Sequence, residues 1–172
     1  DTAYKVEHYK VSSDNVATLA YTDNKTAETD TEVTAAPMSF DGYTYAEGYN
    51  NGSNVEVKTG TVAGDGSLVL KLYYTADADS LRYDANTGTG TMDPTEGHVD
   101  EAVEVADNGF EKAGYHFTGW NTQANGQGTP YPAGSEYTLT AGDDVLYAQW
   151  EADEDTAYKV EHYKVSSDNV AT

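Results

Sequence analysis

The 172 residues carry nine lysine or arginine side chains against thirty aspartate or glutamate, a formal net charge of −21. A nucleic acid or an anionic membrane surface would be repelled by that charge, so neither is expected as a partner. The chain has no cysteine, which excludes disulfides, thiolate metal sites and thiol nucleophiles. Acidity at this level accompanies disorder only where aromatic residues are few; fifteen tyrosines and repeated period-2 patterning argue for a folded chain.

Residues 1–18 read DTAYKVEHYKVSSDNVAT, and residues 155–172 read the same at an offset of 154. A period of that length is not the 20 to 50 residues of a solenoid; it describes independent beads on a string, with residues 155–172 as the start of the next tandem copy. Within one unit the composition breaks at residues 75–80 and again at 151–155, both short, acidic and poor in glycine, so stiffer than Gly/Ser linkers. The expected organisation is one bead over residues 1–76 and a second over residues 79–151.

In the first bead, residues 4–11 alternate polar and apolar and predict a strand. The Ser12-Ser13-Asp14-Asn15 cluster turns the chain into a second strand over residues 16–22. Pro37 and Asp41-Gly42 punctuate the middle, which leaves room for one short helical turn. Tyr43-Thr44-Tyr45, residues 55–62 and residues 68–74 follow as strands, with Asn51-Gly52 and Gly64-Asp65-Gly66 as hairpin-type turns. Leu68, Leu70 and Leu72 share one face of the last strand and are assigned to the core. The Tyr-x-Val-x-x-Tyr opening, the internal Gly42-Tyr43-Thr44 and the closing Leu-Lys-Leu-Tyr-Tyr strand resemble the MucBP-like family of surface modules. That resemblance implies a β-grasp-like fold and, faintly, mucin binding.

The second bead starts a strand at Leu81-Arg82-Tyr83-Asp84 and turns through residues 85–90. Val99, Val103 and Val105, separated by acidic residues, predict a further strand over residues 99–106. Asn108-Gly109 then turns into Phe110, expected as an aromatic plug beneath the sheet. In Gly114-Tyr115-His116-Phe117-Thr118-Gly119-Trp120, strict alternation would place Trp120 opposite Phe117; Gly119 predicts a bulge that brings both to one side. After the wide turn of residues 126–132, residues 137–139 and 145–150 close the sheet. Phe110, Tyr115, Phe117, Gly119, Trp120, Leu146 and Trp150 are taken as structural core, since large aromatics bury about 150 to 250 Å² each and can stabilise a small cysteine-free bead.

The aromatic strand from Gly114, the Gly126-Gln127-Gly128 hairpin and the terminal Leu146-Tyr147-Ala148-Gln149-Trp150 resemble the Listeria-Bacteroides repeat, a module related to the internalin B-repeat and found in tandem on bacterial surface proteins. The turn after Asp84 matches that family's Asp-Ala-Asn-Gly-Gly-Thr-Gly pattern, with Thr87 standing at the first glycine of the pair. The fold expected for the whole chain is therefore mainly β, with α+β left open: two small β-grasp-like domains in tandem and little helix.

No constellation points to catalysis. One unit holds His8, His98 and His116 without metal-ligand spacing, and no nucleophile elbow is present. Asp77/Asp79, Asp143/Asp144 and Asp153/Glu154/Asp155 invite calcium, yet none forms the shaped loop that calcium takes; solvated surface charge is the simpler reading, and no cofactor or metal is expected. Few lysines, all in polar-alternating positions, argue against a Lys-Asn isopeptide bond, and the sequons at Asn24 and Asn51 read as turn sequences. With no apolar run near the ~20 residues of a membrane span, membrane insertion is not expected, and the absence of a leader suggests an internal or mature piece. The leading expectation is a non-enzymatic stalk or spacer repeat of a bacterial, Gram-positive cell-surface adhesin. A glycan-, mucin- or host-protein-binding module is the alternative, with Tyr43, Tyr45 and Tyr49, or Tyr131 and Tyr137, as stacking surfaces. Adjacent repeats of the same protein are the expected partners, and the strand starting at Tyr158 and ending at Val165 is expected to seek an edge in another copy.

Overall fold

The computed structural model describes residues 1–154 and 158–164. Among these residues the protein is all-β, with thirteen strands and no helix. The short helical turn near Pro37 is not formed. Its residues run irregularly into an isolated bridge between Phe40 and Tyr43.

The first half is built on two central parallel strands, β1 (Thr2–Val11) and β6 (Val69–Ala76). Strand β2 (Ala17–Ala27) lies antiparallel on β1 and β4 (Tyr43–Tyr45) antiparallel on β6, giving the order β2-β1-β6-β4. Strands β3 (Glu32–Thr34) and β5 (Thr59–Thr61) form a separate pair. Alternation explains why β6 is central. Leu70, Leu72 and Tyr74 are fully buried on one face, while Tyr73 on the other is covered by Tyr9 and Tyr49, stacked at 5.1 and 4.7 Å.

The second half repeats this plan. Strands β7 (Ala78–Asp84) and β13 (Val145–Ala152) are parallel and central. Strand β8 (Thr95–His98) flanks β7, and β10 (Tyr115–Asn121) with β11 (Pro130–Tyr131) extends beyond β13, in the order β11-β10-β13-β7-β8. Strands β9 (Ala102–Glu104) and β12 (Glu136–Thr138) form the separate pair. The strand expected over residues 99–106 is thus shortened to β9, because Asp100 takes a left-handed φ of 63°.

Register makes the two halves equivalent residue by residue. Val6 lies beside Leu70 in the first and Tyr83 beside Leu146 in the second; Thr2 pairs with Ala27 and Asp79 with Gly97. Three residues further on, Asp30 and Asp100 are both left-handed, at 65° and 63°. Asp30 N donates to Val62 O and Asp100 N to Leu139 O, at 2.9 and 3.0 Å, and Val62 N and Leu139 N return bonds to Thr31 O and Glu101 O. Likewise Tyr43 pairs with Ala76 and Tyr115 with Ala152.

The acidic break at residues 75–80 is not a linker. Thr75 and Ala76 end β6 and Ala78 begins β7, leaving Asp77 alone between two paired strands. Similarly, Glu151 and Ala152 belong to β13. Low glycine content, read as stiffness, is at residues 75–80 strand continuity: on both sides of Asp77 the residues of β6 and β7 have partner strands that meet their backbone groups.

Each half has its own buried cluster. Tyr4, Val6, Ala35, Val62, Leu70, Leu72 and Tyr74 form the first, with Leu68 packed half-buried against it. Leu81, Val103, Val105, Phe110, Trp120, Leu139, Leu146 and Ala148 form the second, with Phe117 and Trp150 against it. Tyr115, expected in the core, is instead 41% exposed. The bulge expected at Gly119 is present: the register of β10 on β13 shifts between Phe117 and Gly119, whose φ is 147°, and the rings of Phe117 and Trp120 meet at 5.0 Å. Phe117 and Trp120 therefore both turn to the core, whereas Tyr115, on the face of Phe117 but at the first residue of β10 and opposite Ala152 at the end of β13, lies beyond it.

Residues 158–164 have no regular secondary structure and are exposed, Tyr158 at 88%. The same sequence at residues 4–10 is a central strand because β2 and β6 bracket it there. Val165, the last residue of the strand expected there, lies outside the described residues.

Candidate functional site

The two halves meet at a built junction. Gly42, at a φ of 71°, packs so closely on the second half that a Cβ there would lie 2.7 Å from Val99 Cγ1 and 2.8 Å from Ala141 Cβ; only glycine fits both the backbone angle and the space. Asp77 is clasped through its backbone: its N donates to Gly42 O at 2.9 Å, and its carbonyl accepts from Val99 N at 3.0 Å. Its carboxylate accepts from Thr44 Oγ1 at 2.6 Å. Strand β6 thus passes into β7 with backbone bonds to both sides.

Above this clasp sits a charged triad. Tyr43 donates its hydroxyl to Asp100 Oδ2 at 2.8 Å. Lys10 Nζ lies 4.1 Å from the centre of the Tyr43 ring and 3.7 Å from Asp100 Oδ2, a cation over an aromatic face that also neutralises the carboxylate. Burial first, then the bond to Asp100, pushes the Tyr43 phenol up to about 12. A cleft of about 430 Å³ opens beside the triad, lined by Lys10, Ser12, Val16, Thr18, Tyr43 and Asp100.

The tyrosines considered as stacking surfaces are half-buried, and most are bonded through their hydroxyls. Tyr45 donates to Glu56, Tyr49 to Asn15 Oδ1 at 2.7 Å, and Tyr137 to Asp144 Oδ1 at 2.8 Å while its ring meets that of Tyr131 at 5.0 Å. Tyr9 donates to Glu7 at 2.6 Å, and burial followed by that bond pushes its phenol up to about 12. Tyrosine and carboxylate, both abundant in the sequence, satisfy one another here.

The Asp143/Asp144 pair considered for calcium is engaged with protein groups. Asp144 is buried and accepts from Tyr137, Thr140 N and Thr140 Oγ1; Asp143 pairs with Arg82 at 3.0 Å. No group of three or more His, Asp or Glu among the described residues could hold a metal ion. The three histidines of the unit lie apart. His8 is buried, with Nδ1 2.8 Å from the Tyr74 hydroxyl, and desolvation lowers its pKa. His98 pairs with Glu101 at 3.1 Å. His116 is exposed, and the bond to Asp153 at 2.9 Å, aided by Glu151, raises its pKa.

The arrangement is that of two like-folded β halves clasped end to end by a short, fully bonded crossing. Residues 80–149, most of the second half, match the family described as the Listeria-Bacteroides repeat domain. A Gly-rich membrane protein of Evansella cellulosilytica is 43% identical over 53 residues, which are 28% of this chain and 6% of that protein. The chain thus spans a small fraction of that relative's length.

No local signal in the sequence marks Lys10, Asp77 or Asp100 as a contact. The available signal was the internal likeness of the halves. Gly42-Tyr43-Thr44-Tyr45 and Gly114-Tyr115-His116-Phe117 share a Gly-Tyr-x-aromatic pattern, and Leu70 to Asp77 and Leu146 to Asp153 share Leu-x-x-x-aromatic-x-Ala-Asp.

Proposed function

We propose that the chain is a non-enzymatic spacer unit of a bacterial cell-surface protein, in which two β domains, residues 1–76 and 79–151, repeat in tandem and hold a terminal region away from the envelope. In this reading the first domain is the MucBP-like one and the second the Listeria-Bacteroides repeat. The observation that carries it is the recurrence of residues 1–18 at 155–172, taken with a crossing between the halves that has no flexible linker. The match of residues 80–149 to a family typical of surface proteins supports the location.

The alternative, a glycan- or protein-binding module, would need a free aromatic face. Tyr43 carries Lys10 over its ring and Tyr49 stacks on Tyr73, which favours the structural reading of these side chains. Small-angle scattering of chains with one, two and three units tests the spacer directly. A domain of about 75 residues has a radius of gyration near 11 Å, so each unit should add about 60 Å to the longest dimension. A maximum dimension that stays nearly constant as units are added would refute it, and a glycan-array signal from a single unit would favour the alternative.

A further inference from the structure

Among the described residues, the far end of the second half repeats the backbone clasp of the junction. Gly114 is left-handed at 75°, as Gly42 is at 71°. Asp153 N donates to Gly114 O at 2.9 Å, as Asp77 N does to Gly42 O. The Asp153 carboxylate is met by His116 Nδ1 at 2.9 Å, where Asp77 is met by Thr44. Lys112 Nζ lies 4.1 Å from the centre of the Tyr115 ring, the distance that separates Lys10 from Tyr43. The Tyr115 ring itself is 41% exposed.

At the opposite end of the chain, the first half presents what the second half uses in the junction. By register, Thr29 and Asp30 stand where Val99 and Asp100 stand, and Gly64 stands where Ala141 does. Thr29 and Asp30 are exposed, whereas Val99, held against Gly42, is 5% exposed. The sequence after Asp153 re-enters a copy of the first half within two residues, as the sequence after Asp77 enters the second half at once.

We propose that Gly114, Tyr115, Lys112 and Asp153 form a docking surface for the first half of the following unit, with Tyr115 donating its hydroxyl to that unit's Asp30 and Lys112 lying over both. This deepens the spacer reading and rests on it. The same clasp then recurs at every crossing, within units and between them. The contact between units is the more polar of the two kinds, since Thr29 and Gly64 replace Val99 and Ala141 and leave less apolar surface to bury. A dimension follows from strand continuity: successive halves keep one direction, and the repeat grows as a stiff rod and not as a jointed chain.

The test uses two consecutive 154-residue units, in a sequence whose lack of cysteine makes every introduced thiol unique. Tyr115→Cys of the first unit is combined with Asp30→Cys of the second and treated with a short bis-maleimide. Tyr43→Cys with Asp100→Cys, a contact seen in the structure, sets the reference rate. Tyr115→Cys with Asp14→Cys of the second unit, at the other end of β1, sets the background. Cross-linking roughly tenfold or more above background, approaching the reference, is expected for a docked pair. A rate equal to background while the reference pair reacts would overturn the docking surface. Scattering on the same chain separates the two ideas: full extension with background cross-linking leaves the spacer standing without the clasp, and a compact chain removes the spacer whatever the thiols report.

Discussion

The two halves share a backbone and differ in what fills it. Register pairs Tyr4 with Leu81 and Val6 with Tyr83 as equivalents, so bulk moves by one step along the strand. The first core closes on Tyr74, with Phe40, Tyr45 and His8 around it at ring distances of 4.9, 5.7 and 5.8 Å. In the second, the bulge at Gly119 delivers Trp120, which meets Tyr83, Phe117 and Phe110 at 4.8, 5.0 and 6.0 Å. Its pairing partner in β13 is Ala148, where the first half has Leu72. The small residue makes room for the large one within the space that the strands enclose. What the halves hold in common is the hydrogen-bond register and the left-handed aspartate, which set the fold; the choice of filler is free within that volume.

The largest effect is expected where the second core depends on one ring. Trp120 is 1% exposed and donates Nε1 to Ala106 O at 3.0 Å. Trp120→Ala should cost about 3–5 kcal/mol by opening a cavity and stranding that carbonyl. Because the two buried clusters share no residue, amide signals from β1 and β6 should keep their protection while those of β10 and β13 lose it; loss of both together would show that the halves fold as one. Next in size is Ala148→Leu, which installs the first half's residue without its smaller neighbour. Overpacking against Trp120 should cost about 1–3 kcal/mol, read from the urea midpoint of tryptophan fluorescence, since both tryptophans lie in the second half. The double variant Trp120→Ala with Ala148→Leu should be less damaged than the sum of the single variants, as residues in contact couple.

Thr87 offers a gain instead of a loss. It is a β-branched residue at a φ of 74°, beside Asn86 at 45°, in a turn fixed by Asn86 Nδ2, which donates to Ala124 O at 2.7 Å and Ala148 O at 2.8 Å. Left-handed backbone costs a residue with a Cβ roughly 1–2 kcal/mol, partly offset in a glycine variant by the greater freedom of its unfolded chain. Thr87→Gly should therefore stabilise the second half by about 0.5–1 kcal/mol, despite the lost surface bond from Lys112. A lower urea midpoint would mean that the Lys112 contact outweighs backbone relief.

Period-2 patterning made the long strands legible, and glycine inside an aromatic strand made the bulge legible. Both are local signals carried by consecutive residues. Alternation puts Tyr115 on the face of Phe117 but does not say where along that face the core ends. The crossing at Asp77 was taken for a linker because acidic composition looks alike in a solvated loop and in a strand whose partners, Gly42 and Val99, lie 35 residues before and 22 after. Strand β8 is not legible because Thr95-Glu96-Gly97-His98 alternates nothing apolar; it is held by its pairing to β7 and by the close packing of Gly97 on Val103 and Leu139. The junction triad joins Lys10, Tyr43 and Asp100 from three distant segments, so only comparison of one half with the other could have suggested it.

Titration should separate the halves by sign. His8 is 3% exposed, and desolvation lowers its folded pKa below the ordinary 6.5. Between those values the unfolded chain binds a proton that the folded first half refuses, so stability falls as pH falls. The contribution is present in full above 6.5 and is lost as pH drops through the folded value. His116 behaves oppositely: the bond to Asp153 raises its folded pKa, so its contribution is present in full below 6.5 and is lost as pH rises through the folded value. Since His116 is exposed, solvent screens that contribution and the slope from His8 should be the steeper one. Urea midpoints followed from pH 8 to pH 5 should therefore decline for amides of β1 and β6. His8→Gln, which can still bond the Tyr74 hydroxyl but does not titrate, should flatten that decline and leave the second half unchanged. A first half whose midpoint keeps falling in the His8→Gln variant would place the acid sensitivity elsewhere than at His8.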